Sequence, residues 1–184
     1  KDLTVIGVTG SYGKTSLKFM LARLLSEKFN VVATPQSFNT PMGVVRTVRE
    51  KLRPQTQIFL CEMGAKNVGD IKEICDIVHP DMGVITSVGE QHLETFKTLE
   101  NVRSTKFELY DAVTKKGGKC FVNMASEGIS ERFGDRTAVT YGTASADYTA
   151  TDITYSSSGA NFRIVGGGYD FPVTTRLLGR HNVL

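Results

Sequence analysis

Val5-Ile6-Gly7-Val8-Thr9-Gly10-Ser11-Tyr12-Gly13-Lys14-Thr15-Ser16 opens as an apolar, β-branched run and breaks into a glycine-rich turn carrying Lys-Thr. Leu17-Lys18-Phe19-Met20-Leu21-Ala22-Arg23-Leu24-Leu25 follows with the apolar spacing of a helix. A buried strand, a tight turn and a helix, in that order, form the setting of a phosphate-binding loop. Glycines let backbone N–H groups turn onto an anion at a helix N-terminus, where the helix dipole also favours negative charge. Lys14 is placed to reach the β- and γ-phosphates of a nucleoside triphosphate, and Thr15 to bind Mg²⁺. The spacing is the short T-G-x-x-G-K-T-S, because Val8 stands where the full G-x-x-x-x-G-K-[ST] pattern has its first glycine. The competing reading, a strand–helix turn with a chance lysine, is disfavoured by the flanking strand and helix.

Outward from this stretch, strand-like runs recur at Val31–Ala33, Ile58–Cys61, Gly83–Thr86, Cys120–Val122 and Ala138–Tyr141. Helical patterns lie between them, such as Ile71, Ile74, Cys75 and Val78. Such alternation predicts an α/β fold: a mostly parallel P-loop sheet with helices on both faces, here over residues 1–142. From about Ala144 the pattern turns β-rich, at Tyr148–Tyr155, Asn161–Val165 and Tyr169–Thr175. Gly166-Gly167-Gly168 reads as a hairpin turn, and Pro172, lacking an N–H, confines its strand to an edge. A small antiparallel β-subsheet is therefore predicted over residues 143–178, followed at 179–184 by the start of a helix. The chain lacks an initiator methionine and stops inside that helix start, so a piece of a longer protein is expected.

Composition narrows the classes. A length of 184 residues can bury a substantial core, and apolar and charged fractions of 40% and 22% are ordinary for a globular protein. The net charge of +3 is spread along the chain rather than gathered into an arm, so no nucleic-acid partner is expected. No apolar run is long enough to span a bilayer and no secretory signal opens the chain, which predicts no membrane insertion and a cytoplasmic location. Cys61, Cys75 and Cys120 are odd in number and show no C-x-x-C spacing, so buried thiols in a reducing compartment are expected, and zinc is not. The protein is expected to be a monomer.

Several side chains could carry chemistry. Ile58-Phe59-Leu60-Cys61-Glu62 is a buried strand delivering a carboxylate at its C-terminal end, the edge at which ligands sit in open α/β sheets. Glu62 is thus a candidate Mg²⁺ ligand or, alternatively, an ordinary strand-end acid. His92 falls just beyond a later strand end and is a ligand candidate or a solvated loop residue. His79, before Pro80 at a helix end, is unremarkable. Lys106 interrupts an apolar helical stripe of Leu99, Val102, Leu109 and Val113. It either snorkels to solvent or sits in a site with its pKa lowered by desolvation. Arg46, Arg49, Lys51 and Arg53 read as one solvated helix face that could also meet an anionic substrate or another domain.

Six segments taken together resemble the central ATP-binding domain of the Mur ligases: Thr9–Ser16, Phe38–Gly43 (F-N-T-P-M-G), Glu62–Ala65 (E-M-G-A), Ile85–Leu93 (I-T-S-V-G-E-Q-H-L), Thr105–Leu109 (T-K-F-E-L) and Gly179–Leu184 (G-R-H-N-V-L). The resemblance implies that Gly10, Ser11, Gly13, Lys14, Thr15 and Ser16 hold the ATP phosphates, with Lys14 on the γ-phosphate and Thr15 or Ser16 on Mg²⁺. It implies metal-ligand roles for Glu62 and His92, and a carbamylated Lys106 that helps to hold a second Mg²⁺. Asn39 would line the acyl-substrate and phosphate region, and His181 and Asn182 would contact the base or ribose. Ser87 departs from the asparagine the family pattern leads one to expect beside His92.

The chemistry implied is ATP-driven amide ligation. An acyl phosphate forms on UDP-MurNAc-tripeptide, and the amine of D-Ala-D-Ala displaces phosphate from it. Domains gripping the UDP-sugar and closing over ATP would flank this one. Three alternatives compete: a folylpolyglutamate synthase-like or other ligase of the superfamily, a small-molecule P-loop kinase, and a nucleotide-binding module without turnover as an isolated domain.

Overall fold

The computed structural model describes residues 3–36, 38–89, 96–133, 137–177 and 179. The chain divides into two compact units, Lys1–Cys120 and Phe121–Leu184, with the boundary inside strand β5 (Lys119–Asn123).

The first unit alternates β1 (Thr4–Thr9), α1 (Lys14–Leu25), β2 (Val31–Ala33), α2 (Pro41–Lys51), β3 (Ile58–Glu62), α3 (Asp70–Val78), β4 (Met82–Ile85) and α4 (Leu99–Thr114). Its strands run parallel in the order β2-β3-β1-β4, as the sequence alternation predicts. Right-handed crossovers carry α1 to one face, on the way from β1 to β2, and α2 and α3 to the other. Accordingly α2 packs on α3 and α3 on α4, while α1 packs on β1, β2 and β3. Every residue of β3 is buried, as expected of a parallel strand covered on both faces.

Two glycines shape the contact between α4 and the sheet. A Cβ at Gly7 would come within 2.7 Å of Leu109 Cδ1, and one at Gly83 within 3.1 Å of Leu109 Cγ. Leu109, fully buried, therefore seats over bare backbone in β1 and β4, which brings its neighbours on α4 close to the sheet. The helix begins at Thr98, whose side chain accepts a hydrogen bond from the Asn101 N–H at 3.1 Å. Thr98→Ala removes that acceptor and should cost about 1 kcal/mol, read as a shift in the urea midpoint without change of slope.

The second unit holds α5 (Glu127–Phe133), β6 (Val139–Tyr141), β7 (Tyr148–Ser156), β8 (Gly159–Gly166) and β9 (Tyr169–Thr175). β6 runs parallel to β5, and β7-β8-β9 form the predicted antiparallel ribbon. The β8–β9 turn falls at Gly167-Gly168, and β9 is the edge strand, with Pro172 opposite Arg163. Cys61, Cys75 and Cys120 are free and buried. No described helix is long and apolar enough to cross a membrane.

Candidate active site

Strand register places the phosphate loop beside its acid. β1 and β3 pair with Val8 opposite Glu62, so the chain leaves β1 into Thr9-Gly10 next to the carboxylate at the end of β3. The junction is tied twice: Met63 N–H donates to the Val8 carbonyl at 2.8 Å, and Thr9 Oγ1 to the Met63 carbonyl at 3.0 Å. On its other side the loop is held by the end of β4. Ser11 N–H donates to the Ser87 carbonyl at 2.9 Å and Tyr12 N–H to Ser87 Oγ at 2.8 Å, while that hydroxyl donates to the Tyr12 carbonyl at 3.1 Å. The serine that departs from the family pattern thus serves as a clasp on the loop backbone.

The glycines are demanded by geometry. Gly10 has φ 151°, and a Cβ there would lie 2.0 Å from Thr86 Oγ1. Gly13 has φ 80° and caps α1 without any side-chain hydrogen bond, which leaves the first turn of the helix open to an anion. The Lys14 ammonium lies over the loop, donating to the carbonyls of Gly10 at 2.7 Å and Ser11 at 3.2 Å. Burial lowers its pKa, against the opposing pull of Glu62.

Glu62, 1% exposed, is where the other groups converge. Its Oε1 accepts from Thr15 Oγ1 at 2.9 Å and from Asn39 Nδ2 at 3.1 Å; its Oε2 accepts from Lys18 Nζ at 2.9 Å. The hydroxyl that reaches Glu62 is that of Thr15, while Ser16 is exposed. Burial, reinforced by Cys75 and Glu62, pushes the adjacent Cys61 thiol well above the ordinary range. A cavity of about 220 Å³ beside this cluster is lined by Lys14, Asn39, Thr40, Gly64, Asp70 and Lys106 among others.

Lys106 does not snorkel. It is 3% exposed and, among the described residues, its ammonium has no hydrogen bond or ion pair. Desolvation, then the proximity of Lys14, lowers its pKa to about 8. The interrupted stripe on α4 was the signal, and the structure buries the lysine that interrupts it. The Arg46–Arg49 face of α2 is solvated, with Arg46 paired to Glu50 at 2.8 Å.

The structure brings Lys14, Thr15, Asn39, Glu62 and Lys106 together. His92, His181 and Asn182 lie outside the described residues, among which no three His, Cys, Asp or Glu cluster as a metal site. Lys18 was missed: the only fully buried residue of α1 is a lysine, where the apolar pattern points to its neighbours.

The family model for the Mur ligase middle domain matches residues 8–184. The chain belongs to the Mur ligase family. Among Mur ligases, it is 32% identical over 181 residues to the Bacillus subtilis UDP-N-acetylmuramoyl-tripeptide–D-alanyl-D-alanine ligase, spanning 98% of this chain and 38% of that protein. It is similar to a MurF crystal structure from Acinetobacter baumannii, with a TM-score of 0.89 and 30% identity over 99% of this chain and 40% of that one. A Thermotoga maritima MurF ligase in complex with ADP matches with a TM-score of 0.83 and 30% identity, over 93% of this chain and 40% of that one. The chain thus spans about two-fifths of the length of these Mur ligases.

Proposed function

We propose that the protein containing this chain is a cytoplasmic, ATP-dependent amide ligase that joins D-Ala-D-Ala to UDP-MurNAc-tripeptide, with this chain as its ATP-binding central domain. The observation that carries the reading is a cavity lined by Lys14, Asn39 and the buried Lys106, with Asn39 bonded to the Glu62 carboxylate that also accepts from Thr15. Likeness to the Bacillus subtilis ligase and to the ADP-bound MurF supports the choice of substrates and nucleotide.

In this reading the open N–H groups of the first turn of α1 bind the phosphates, those of Ser11 and Tyr12 being held by Ser87, and Lys14 offsets the phosphate charge. Asn39 orients the acceptor carboxylate beside them. Transfer of the γ-phosphoryl group to that carboxylate asks for positioning and charge neutralisation more than for a nucleophile of the protein. The residues fit a Mg²⁺ ion: a carboxylate and a hydroxyl oxygen meet at 2.9 Å, a hard donor set. Thr15 and Glu62, with His92, would hold the ion, which when bound neutralises phosphate charge. Lys106 fits a carbamate. Its amine is desolvated, lies near Lys14 and, among the described residues, has no hydrogen bond or ion pair. In its neutral form it could add to CO₂ and release a proton, giving a carbamate anion that would offer two oxygens to a second Mg²⁺. His181 and Asn182 would contact the base or ribose.

Phosphate release from the full-length enzyme, dependent on both UDP-MurNAc-tripeptide and D-Ala-D-Ala, tests the reaction; release with a folate acceptor instead would refute it. Lys14→Ala should weaken ATP affinity about tenfold to a hundredfold by removing one charged contact to phosphate, as read by calorimetric titration. Equal affinities would refute the loop assignment.

A further inference from the structure

Lys18 lies one helical turn beyond Lys14, on the face of α1 that also carries Thr15. Its ammonium is 0% exposed and donates to Glu62 Oε2 at 2.9 Å and to the Gln36 carbonyl. Three elements are thereby joined at one nitrogen: α1, the end of β3, and the segment leading from β2 to α2. That segment is also tied to β3 from its far end. Asn39 Nδ2 donates to Glu62 Oε1 at 3.1 Å, and the Asn39 carbonyl accepts from Gly64 N–H at 2.7 Å. Gln36 itself holds a left-handed backbone, φ 43°, which a non-glycine residue adopts only when its surroundings require it.

A carboxylate with both oxygens free can rotate and bind in several modes. Here Lys18 occupies Oε2 from the buried side, so Oε1 is turned to the side of Thr15 and Asn39. An ammonium in the solvated part of the site would be free to leave or to meet phosphate. This one is shut in by the fold, with the Phe19 ring 4.6 Å from its nitrogen.

We infer that Lys18 is a positioning residue: it clamps Glu62 by one oxygen and, through Gln36, fixes the loop that presents Asn39, so that the metal side of the nucleotide site is set by a lysine touching neither metal nor nucleotide. This rests on the reading of Thr15 and Glu62 as the Mg²⁺-side pair.

Lys18→Met in the full-length protein tests it, with two readouts. The first is ATP affinity measured with Mg²⁺ and with EDTA. Affinity in EDTA, carried by the loop and Lys14, should stay within about twofold, whereas the gain conferred by Mg²⁺ should fall about tenfold or more. The second, which needs no nucleotide, is hydrogen exchange. The amides of Phe38 and Gly64, bonded to the Pro35 and Asn39 carbonyls at 2.9 and 2.7 Å, should exchange about tenfold faster, while those of β1 hold. Wild-type Mg²⁺ gain in the variant overturns the inference, and so does unchanged exchange at both amides. A uniform rise in exchange with an intact Mg²⁺ gain would mark Lys18 as merely structural. Absence of any Mg²⁺ gain in the wild type would instead overturn the reading of Thr15 and Glu62, leaving exchange to decide the clamp. Should Lys18→Met fail to fold, Lys18→Gln is read the same way. Its amide is a neutral donor one bond shorter, able to meet Glu62 or Gln36 but not both.

Discussion

At neutral pH, Lys106→Met should unfold at a higher denaturant concentration than the wild type. The lysine is 3% exposed and its folded pKa is about 8, against an ordinary 10.5, with desolvation the main cause and Lys14 the next. Between those two values the unfolded chain carries a proton that the folded chain has lost, so wild-type stability rises with pH across the window. Below pH 8 the penalty is complete. At about 1.4 kcal/mol per pH unit it amounts to about 3 kcal/mol, and a methionine of similar shape escapes it. The advantage of the variant should be constant from pH 6 to about 8 and shrink towards pH 10.5, as measured by urea unfolding of both proteins at matched pH. A variant less stable than wild type at pH 7 would show that the ammonium is held by a favourable interaction. A stability gain accompanied by loss of ligase activity is the combination expected of a residue kept for function.

The other buried lysine should behave in the opposite way. Glu62→Leu leaves Lys18 shut inside α1 with no counter-charge and should cost about 3–5 kcal/mol. Lys18→Met combined with Glu62→Leu removes both charges and keeps the volume, so most of that loss should return. Urea unfolding of the two single variants and the double variant closes the cycle. Additive losses would mean that the 2.9 Å contact carries little coupling. The pair would then owe its place to the site rather than to stability. Nucleotide binding with Mg²⁺ should stay impaired in the double variant even where folding is restored.

The contrast explains what could be read in advance. The alternation of strand and helix is written in local apolar periodicity, so β1 to β4 and the β7–β9 ribbon were legible to within a residue or two at their ends. Glu62 was legible because a buried strand ending in an acid puts that acid at the ligand edge of a parallel sheet. Lys106 was legible as an anomaly, a charge within an apolar stripe, although the stripe alone could not choose between solvent and site. Lys18 left no such mark. It sits among exposed and half-exposed neighbours on α1, with Phe19 52% and Leu24 69% exposed, so periodicity assigned the buried face to the wrong residues. Its burial is decided by the register of β1 and β3, which brings Glu62 over it, and register is a tertiary fact. Ser87 stands out in the sequence only as the residue that is not an asparagine, and its bonds to Tyr12 depend on the end of β4 lying against the loop.

That clasp at Ser87 bears on how a nucleotide is captured. Fixing the backbone of a mobile segment costs about 1–2 kcal/mol per residue in lost conformational entropy. A loop that closed only around its ligand would subtract that sum from every binding event. Here Ser11 and Tyr12 are laced to Ser87, and Thr9 to Met63, by contacts made within the protein itself, so the ordering is complete when the chain folds. On the proposed reading of the loop, incoming phosphates would meet the open first turn of α1 already in place, and their affinity would report charge and hydrogen bonding rather than the disorder of the receptor.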